Sequence, residues 1–200
     1  MEDTEMRTVF KNLCTPERGV SPEVLESVLE LCVELAREGR EGRKIGTLFT
    51  VGDEEKVLRY SRPLILDPLY GHPPERKRID NADMRETVKE LAQLDGAFIV
   101  SGTGVVLSAA RYLEAPAQGV TLPLGLGTRH MAAAAMSRHT RAVAVVVSTN
   151  SVVRVFENGE IVGEILPELW LIGRESLYIT NPTIQESKKE KITVVTKESS

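Results

Sequence analysis

Residues 124–136 read Leu-Gly-Leu-Gly-Thr-Arg-His-Met-Ala-Ala-Ala-Ala-Met, so two glycines, a hydroxyl and two basic side chains open directly into a run of alanines. Alanine has the highest helix propensity of all residue types, and threonine is among the residues preferred at a helix N-cap. The stretch therefore predicts a helix that begins near Arg129, with Thr128 as its N-cap.

The start of this helix has the chemistry of a phosphate site. The first turn of a helix has backbone N–H groups without intrahelical partners, and the helix dipole places positive charge there. Glycines such as Gly127 let an anion approach the backbone closely, and Arg129 and His130 add side-chain donors. The alternative is an ordinary capped helix whose basic side chains are solvated.

A second stretch, residues 94–100, reads Leu-Asp-Gly-Ala-Phe-Ile-Val. An acidic residue and a small, flexible step lead directly into an apolar run, which predicts a strand over 97–101. Together with the first stretch, this one resembles the diadenylate cyclase (DAC) domain family, over a region from about Pro22 to Ile165. The segments that carry the resemblance are Asp95-Gly96-Ala97, Arg111-Tyr112-Leu113, Gly127-Thr128-Arg129-His130 and the apolar strand 143–148.

The resemblance implies a fold and a reaction. The fold would be a single α/β (α+β) domain with a central mixed β-sheet flanked by helices. The reaction would condense two ATP molecules into cyclic di-AMP and release two pyrophosphates, as the ribose 3′-OH of each nucleotide attacks the α-phosphate of the other. Since one domain would hold one ATP, the resemblance also implies a face-to-face dimer or a higher homo-oligomer.

The resemblance also assigns roles to residues. Asp95 matches the family's aspartate that holds the divalent metal (Mn²⁺, Mg²⁺ or Co²⁺) and activates the hydroxyl. Arg129 and His130 match residues that stabilise charge on the phosphates, and with Asp95 they form the predicted catalytic set. The predicted ATP-binding residues are Gly96, Ala97, Tyr112, Leu113, Gly127, Thr128, Arg129, His130 and Ser148.

Several of these residues also have a purely structural interpretation. An aspartate before a glycine is a common turn or cap residue. Tyr112 and Leu113 fit core packing as well as contact with a nucleoside. The Ser148 hydroxyl fits a hydrogen bond to backbone at the end of a strand.

Two positions depart from the family pattern. Many members have a third basic residue where this chain has Met131, and some have a glutamate, a second metal ligand, where this chain has Asn150. The departures leave open a slower enzyme, a different metal, or the recruitment of Arg138, Arg141 or Arg154 to the site. They also leave open a non-catalytic sensor that binds ATP or a cyclic dinucleotide. A third alternative is a nucleotidyltransferase that uses a different acceptor.

Composition sets the broad class of the protein. Its 200 residues, 42% hydrophobic and 27% charged, fit one soluble globular domain. A net charge of −4 and a pI near 5.6 argue against nucleic acid as a partner. No signal segment opens the chain and no apolar run is long enough to span a bilayer, so we predict no membrane attachment and a cytoplasmic location. Cys14 and Cys32 are predicted to be buried or unreactive reduced thiols.

The pattern of residues predicts the remaining organisation. The expected boundaries are an N-terminal arm over 1–20, either a short helix or loose, then the DAC domain over 21–166 and an extension over 167–200 with a partly disordered tail. Trp170 is expected to pack back on the core, and Ile192–Val195 to add an edge strand. The predicted elements are a helix from Ser21 to Gly39, a solvated turn at 40–44, strands at 45–51 and 57–60, an exposed loop at 76–78, a helix from Asp80 or Asn81 to Leu94, and a hairpin over 152–165.

Overall fold

The computed structural model of the protein describes residues 9–167, 178–179, 182–187 and 189–197. The strands are β1 Thr47–Val51, β2 Ser61–Pro63, β3 Ala97–Val100, β4 Val106–Leu113, β5 Val143–Val147, β6 Val153–Glu157, β7 Glu160–Leu166, β8 Pro182–Ser187 and β9 Ile192–Lys197. They form a nine-stranded sheet in the order β2-β4-β3-β1-β5-β6-β7-β9-β8. The β1–β3 pair is parallel and the other neighbours are antiparallel, so the predicted mixed sheet is confirmed.

The helices are α1 Pro22–Glu38, α2 Glu54–Arg59, α3 Ala82–Leu91 and α4 Thr128–His139. The predicted start of α1 is confirmed, because the Ser21 side chain accepts a hydrogen bond from the Val24 backbone and Pro22 occupies the first turn. Asn81 caps α3 in the same way, through the backbone N–H groups of Asp83 and Met84. Local residue chemistry therefore defines both of these helix starts.

The core lies on both faces of the sheet. Apolar residues of α1 and α3, such as Leu25, Leu29 and Val88, pack on one face. Those of α4 and α2, such as Ala134, Met136 and Val57, pack on the other. The central strand β5 is buried along its whole length, as its continuous apolar run predicts. The sheet between two helical layers is the frame on which the ends of β3, β5 and α4 meet.

The predicted hairpin is present as β6 and β7, joined at Asn158-Gly159. Both turn residues have positive φ, 51° and 84°, as a two-residue hairpin turn of this sequence requires. The described part of the N-terminal arm packs on the sheet, because Phe10 and Leu13 are fully buried.

The predicted N-cap of α4 is wrong by one residue. Gly127 has extended backbone, and its carbonyl accepts hydrogen bonds from the backbone N–H groups of His130 (3.1 Å) and Met131 (3.2 Å). Gly127 is therefore the N-cap, and Thr128 is the first helical residue. Because glycine has no side chain, no side-chain cap covers the first-turn N–H groups of α4. The correction leaves these donors free for a ligand.

The predicted short strand over 57–60 is also wrong. Gly52 and Asp53 both have positive φ, and the Asp53 carbonyl accepts hydrogen bonds from the backbone N–H groups of Lys56 and Val57, both at 3.0 Å. This turn starts α2, in which Val57 is the only buried residue. Four residues were too few for helical and strand periodicity to be told apart.

The C-terminal segment contributes two strands. Ile192–Val195 lies within β9 as predicted, but β9 is second from the edge, because β8 pairs with its outer side. Trp170 and its expected packing lie outside the described residues. In the part of the chain that the structure describes, no helix is both long and apolar enough to cross a membrane.

The two cysteines are unpaired. Cys32 is fully buried, and burial raises the pKa of the partly buried Cys14 thiol to about 12. Neither thiol is therefore in its reactive thiolate form at neutral pH, as predicted.

Candidate active site

Two neighbouring cavities bring the predicted site residues together. The first, about 160 Å³, is lined by Asp95, Gly96, Ala97, Tyr112, Leu113, Thr128 and Arg129, with additional walls from Leu48, Leu64, Arg111 and Ala132. The second, about 350 Å³, is lined by Gly127, Thr128, Arg129, His130 and Ser148, among others. Thr128 and Arg129 belong to both cavities, so the start of α4 lies between them. Every predicted site residue lines at least one of the two.

Gly96 lies at the edge of the first cavity, where the backbones of β3 and β4 approach each other closely. Its φ is +105°, and a Cβ added there would lie 2.7 Å from the carbonyl carbon of Ala110 and 2.8 Å from the Arg111 nitrogen. The register of β3 and β4 is irregular at this point, and Ala110 itself has a positive φ of 52°. Only glycine fits against this bulge. The close approach turns Asp95 outward, and its side chain is 82% exposed.

Asp95 and Arg129 form an ion pair between the two predicted motifs. Arg129 Nη2 lies 3.1 Å from Asp95 Oδ1, which also accepts a hydrogen bond from the Gly96 backbone N–H at 3.0 Å. Gly46 allows this approach, since a Cβ there would lie 3.1 Å from Arg129 Nη1. The pair is exposed to solvent and therefore contributes little to folding stability. It places a carboxylate and a guanidinium side by side at the junction of the two cavities.

The residues around Asp95 suit a cation that is shared with a substrate. Among the described residues, no group of three or more His, Cys, Asp or Glu side chains converges on a point. Ions such as Mg²⁺ are commonly held by one or two carboxylates together with substrate phosphates, without a protein cage. Asp95 is the only carboxylate among the described residues that line the two cavities. The donor set therefore fits a metal that arrives with a polyphosphate.

The first cavity is mostly apolar, as a nucleoside site requires. Ala97 and Leu113 are buried and belong to the core, so the structural interpretation is correct for Leu113. Tyr112 is 49% exposed, with the Arg62 guanidinium 4.8 Å from its ring centroid, so it is not a core residue. The cavity is also lined by Leu48, Leu64 and Ala132. The sequence does not indicate that these three residues line a cavity, because they come from distant parts of the chain.

The Ser148 hydroxyl is engaged at the end of β5. It accepts a hydrogen bond from the Val152 backbone N–H at 3.2 Å, lies 2.9 Å from the Val152 carbonyl and contacts the Asn150 side chain. The Ser148 hydroxyl therefore bonds to backbone at the end of a strand, as its structural interpretation expects. It holds the turn that follows β5, beside the second cavity. Asn150, the departure from the family pattern, also lines this cavity.

His130 is buried, so it is not the solvated basic side chain that an ordinary capped helix would present. It is 8% exposed, and burial, with the nearby cations Arg154 and Arg129, lowers its pKa to about 4. The imidazole is therefore neutral at pH 7. It can stabilise a phosphate through a hydrogen bond but carries no positive charge of its own.

The 40–44 segment, expected to be a solvated turn, lies beside the site. Arg40, Arg43 and Lys44 line a third cavity, of about 270 Å³, which also includes Asp95 and Arg129. Lys44 Nζ donates to the Ala36 carbonyl at 3.1 Å and so satisfies the end of α1. The segment adds positive charge on the Asp95 side of the site.

Known proteins resemble this chain over most of its length. Residues 34–161 match the DAC family, described as DisA bacterial checkpoint controller nucleotide-binding. The chain is 46% identical over 144 residues to a diadenylate cyclase from Methanocaldococcus jannaschii, and 40% identical over 171 residues to one from Haloferax volcanii. These alignments cover 72% and 84% of this chain, but only 45% and 61% of the two relatives.

A solved structure shares the fold. The crystal structure of a hypothetical membrane spanning protein from Bacillus cereus superposes with a TM-score of 0.52 at 23% identity, over 70% of this chain and 62% of that one. At this identity the likeness concerns the fold alone. The family match covers more than half of the chain, and it includes the Asp95 and Arg129 segments of the candidate site. The chain belongs to the DAC family.

Proposed function

We propose that the protein is a diadenylate cyclase, which condenses two ATP molecules into cyclic di-AMP and two pyrophosphates. The observation that carries the proposal is the Asp95–Arg129 pair, 3.1 Å apart at the junction of an apolar cavity and a helix start that has no side-chain cap. Such a junction suits the ribose and α-phosphate of a nucleotide whose base lies in the first cavity and whose phosphates lie in the second. The names of the two relatives support the same activity.

The reaction requires that the site accept a proton from the ribose 3′-hydroxyl and stabilise the negative charge on the phosphates. A ribose 3′-oxygen forms a bond to the α-phosphorus of the other ATP, and the bond from that phosphorus to the bridging oxygen of the pyrophosphate breaks. The electron pair leaves with the pyrophosphate. The hydroxyl proton would leave toward Asp95, which is exposed. Asp95 Oδ1 is bound to Gly96 and Arg129, and Oδ2 has no hydrogen-bond partner among the described residues. Asp95 would also hold a divalent cation (Mn²⁺, Mg²⁺ or Co²⁺), which supplies Lewis acidity when bound.

The start of α4 serves the phosphates. The backbone N–H groups after Gly127 and the Thr128 hydroxyl would bind the non-reacting phosphate oxygens. Arg129 would stabilise the charge that develops as pyrophosphate departs, and it would exchange its contact with Asp95 for one with the nucleotide. His130, neutral and buried, would donate a hydrogen bond. Because Met131 is apolar, Arg129 is the cation that α4 itself supplies to this turn.

Two copies of the chain would complete the reaction. One chain has one Asp95 and one α4 start, hence one site, while cyclisation joins two nucleotides by two bonds. A twofold arrangement would bring each 3′-OH to the other α-phosphate. Leu66 and Leu124, 95% and 96% exposed, lie in segments that flank the cavities and would suit contact with a second copy.

A second candidate function is an ATP or cyclic-dinucleotide sensor with the same pocket. The neutral Asn150 and Met131 favour it, since both reduce the charged groups available to a transition state. Incubation of the protein with ATP and Mn²⁺, Mg²⁺ or Co²⁺, followed by mass spectrometry of the products, tests the choice. Cyclic di-AMP supports the cyclase, a different adenylylated product supports another transferase, and ATP binding without any product supports the sensor.

A further inference from the structure

A buried ion pair lies in the sheet directly behind the second cavity. Arg154 of β6 and Glu164 of β7 face each other in register, and their side chains are 3% and 0% exposed. Arg154 Nε donates to Glu164 Oε1 at 2.8 Å. Removing two charges from water is costly, and apolar residues of similar volume often stabilise a protein as well or better. Folding stability alone therefore does not account for this pair.

The ion pair contacts His130 through Arg154. Arg154 Nη1 lies 3.5 Å from His130 Nε2. A guanidinium has no acceptor, so in this contact Nε2 carries the lone pair and the neutral ring has its proton on Nδ1. His130 Nδ1 is buried, and no partner for it occurs among the described residues. The Phe156 ring, two residues along β6, packs edge-on at 6.1 Å and fixes the plane of the imidazole.

The ion pair is also linked, through Tyr178, to the loop that precedes α4. Glu164 Oε2 accepts a hydrogen bond from the Tyr178 backbone N–H at 2.7 Å, and the Arg154 guanidinium lies 5.3 Å from the Tyr178 ring centroid. Tyr178 Oη in turn donates to the Leu124 carbonyl at 3.2 Å. A Cβ on Gly125 would lie 3.3 Å from that same hydroxyl oxygen. The ion pair thus holds the loop as well as the histidine.

We propose that Arg154 and Glu164 are positioning residues, which hold His130 as the Nδ1–H tautomer for donation to a triphosphate oxygen and anchor the Leu124–Gly127 loop opposite it. A buried N–H without a partner is costly, and no acceptor for His130 Nδ1 occurs among the described residues. His130 lines the cavity that would receive the phosphates, so a triphosphate that displaces the atoms covering Nδ1 would supply the acceptor that it lacks. Burial, together with the nearby Arg154 and Arg129, lowers the pKa of His130 and keeps the ring neutral, so the ring donates one fixed proton. The inference rests on the proposed function for the identity of the ligand, but the tautomer is a property of the protein alone.

The tautomer can be measured directly. The chain has three histidines, so long-range ¹H–¹⁵N spectra can be assigned with single His72 and His139 substitutions. In the wild type at pH 7 we expect His130 to have a protonated Nδ1 and a bare Nε2, and inorganic tripolyphosphate to shift the Nδ1 resonance. A wild-type His130 protonated on Nε2 would overturn the inference whether or not the protein makes cyclic di-AMP.

The double variant Arg154→Met/Glu164→Met separates positioning from folding. It removes both charges together, which often stabilises a protein, but it also removes the acceptor of the Tyr178 backbone N–H. We therefore expect its stability to stay close to that of the wild type. We expect its His130 to lose the single tautomer, and turnover to fall by about tenfold or more with a smaller change in KM for ATP, as for a donor that acts in the transition state. Arg154→Lys keeps the positive charge and a donor, so its turnover should lie between that of the wild type and that of the double variant. If the double variant does not fold, the turnover and the His130 tautomer of Arg154→Lys test the positioning role.

A second ion pair provides a control. Glu157, at the end of β6, pairs with Arg18 of the N-terminal arm, and neither residue lines the phosphate cavity. Arg18→Met/Glu157→Met should leave the His130 tautomer and turnover unchanged. If the folded Arg154→Met/Glu164→Met variant also keeps the wild-type tautomer and turnover, the positioning role is wrong. If the wild type makes no cyclic di-AMP yet shows the tautomer and the tripolyphosphate shift, the cyclase proposal fails and the positioning inference stands.

Discussion

The replacement of Gly96 by alanine tests how the fold presents Asp95. An added Cβ would lie 2.7 Å from the Ala110 carbonyl carbon and 2.8 Å from the Arg111 nitrogen, both backbone atoms. Favourable carbon contacts lie at about 3.5–4.0 Å, so β3 and β4 would have to separate by roughly 1 Å. Relieving such overpacking costs about 1–3 kcal/mol, and the positive φ of 105° costs an alanine about 1–3 kcal/mol more.

Alanine also stiffens the unfolded chain, which offsets about 0.4–1 kcal/mol of this loss. The expected net destabilisation of Gly96→Ala is therefore about 2–5 kcal/mol. For a chain of this size that corresponds to a fall in Tm of roughly 5–15 °C. Urea denaturation and thermal melts measure it, and turnover below the transition should also fall, because Asp95 moves with the bulge.

Gly102→Ala is the matched control for this prediction. Gly102 lies in the turn of the same β3–β4 hairpin, and an added Cβ there would meet nothing within 4 Å. Its stability should stay within about 0.5 kcal/mol of the wild type, as for other surface changes. Equal stability of the Gly96→Ala and Gly102→Ala variants would refute the close approach at the bulge.

Three further predictions concern the site. Asp95→Asn should lower turnover by roughly two or more orders of magnitude while ATP binding is largely kept, and its Tm should barely change because the Arg129 pair is exposed; near-normal turnover would exclude Asp95 from the reaction. Specific activity should rise with protein concentration wherever a dimer dissociates, and mixed Asp95→Asn and Arg129→Ala chains should accumulate linear half-product, whereas dilution-independent cyclisation by a monomer would contradict the paired arrangement. The pKa of His130 is lowered to about 4 in the fold by burial, Arg154 and Arg129, so the unfolded chain binds its proton first and stability should fall as pH drops from about 6.5 to about 4; His130→Phe should flatten that slope in acid-denaturation curves, and an unchanged slope would mean that other groups cause it.

Elements with local determinants could be predicted from the sequence. Ser21 and Asn81 cap their helices, Asn158-Gly159 has the left-handed backbone of a hairpin turn, and the valines of β5 occupy a doubly buried strand. In each case the residue's own conformational preference or hydrogen bond acts within a few positions of the chain. The two motifs that carry the site are of the same kind, since each is a short segment with its own chemistry.

Features set by distant partners could not be predicted. From the sequence, Arg154 is one of three arginines that the site could recruit. Its contacts with Glu164 and His130 could not be predicted, because they depend on the register of β6 and β7 and on the packing of α4. Tyr178 reaches Leu124 across 54 positions of the chain. The prediction of Thr128 as the N-cap of α4 is wrong for a related reason. The backbone geometry at Gly127, and not the side-chain preference of Thr128, decides where α4 begins.

The most direct test of the central claim is product analysis with purified protein, ATP and each of Mn²⁺, Mg²⁺ and Co²⁺, with the Asp95→Asn variant alongside. The proposed cyclase predicts cyclic di-AMP and pyrophosphate in a ratio of one to two, with little product from the variant. Binding of ATP by the wild type without formation of any dinucleotide, under all three metals, would contradict it.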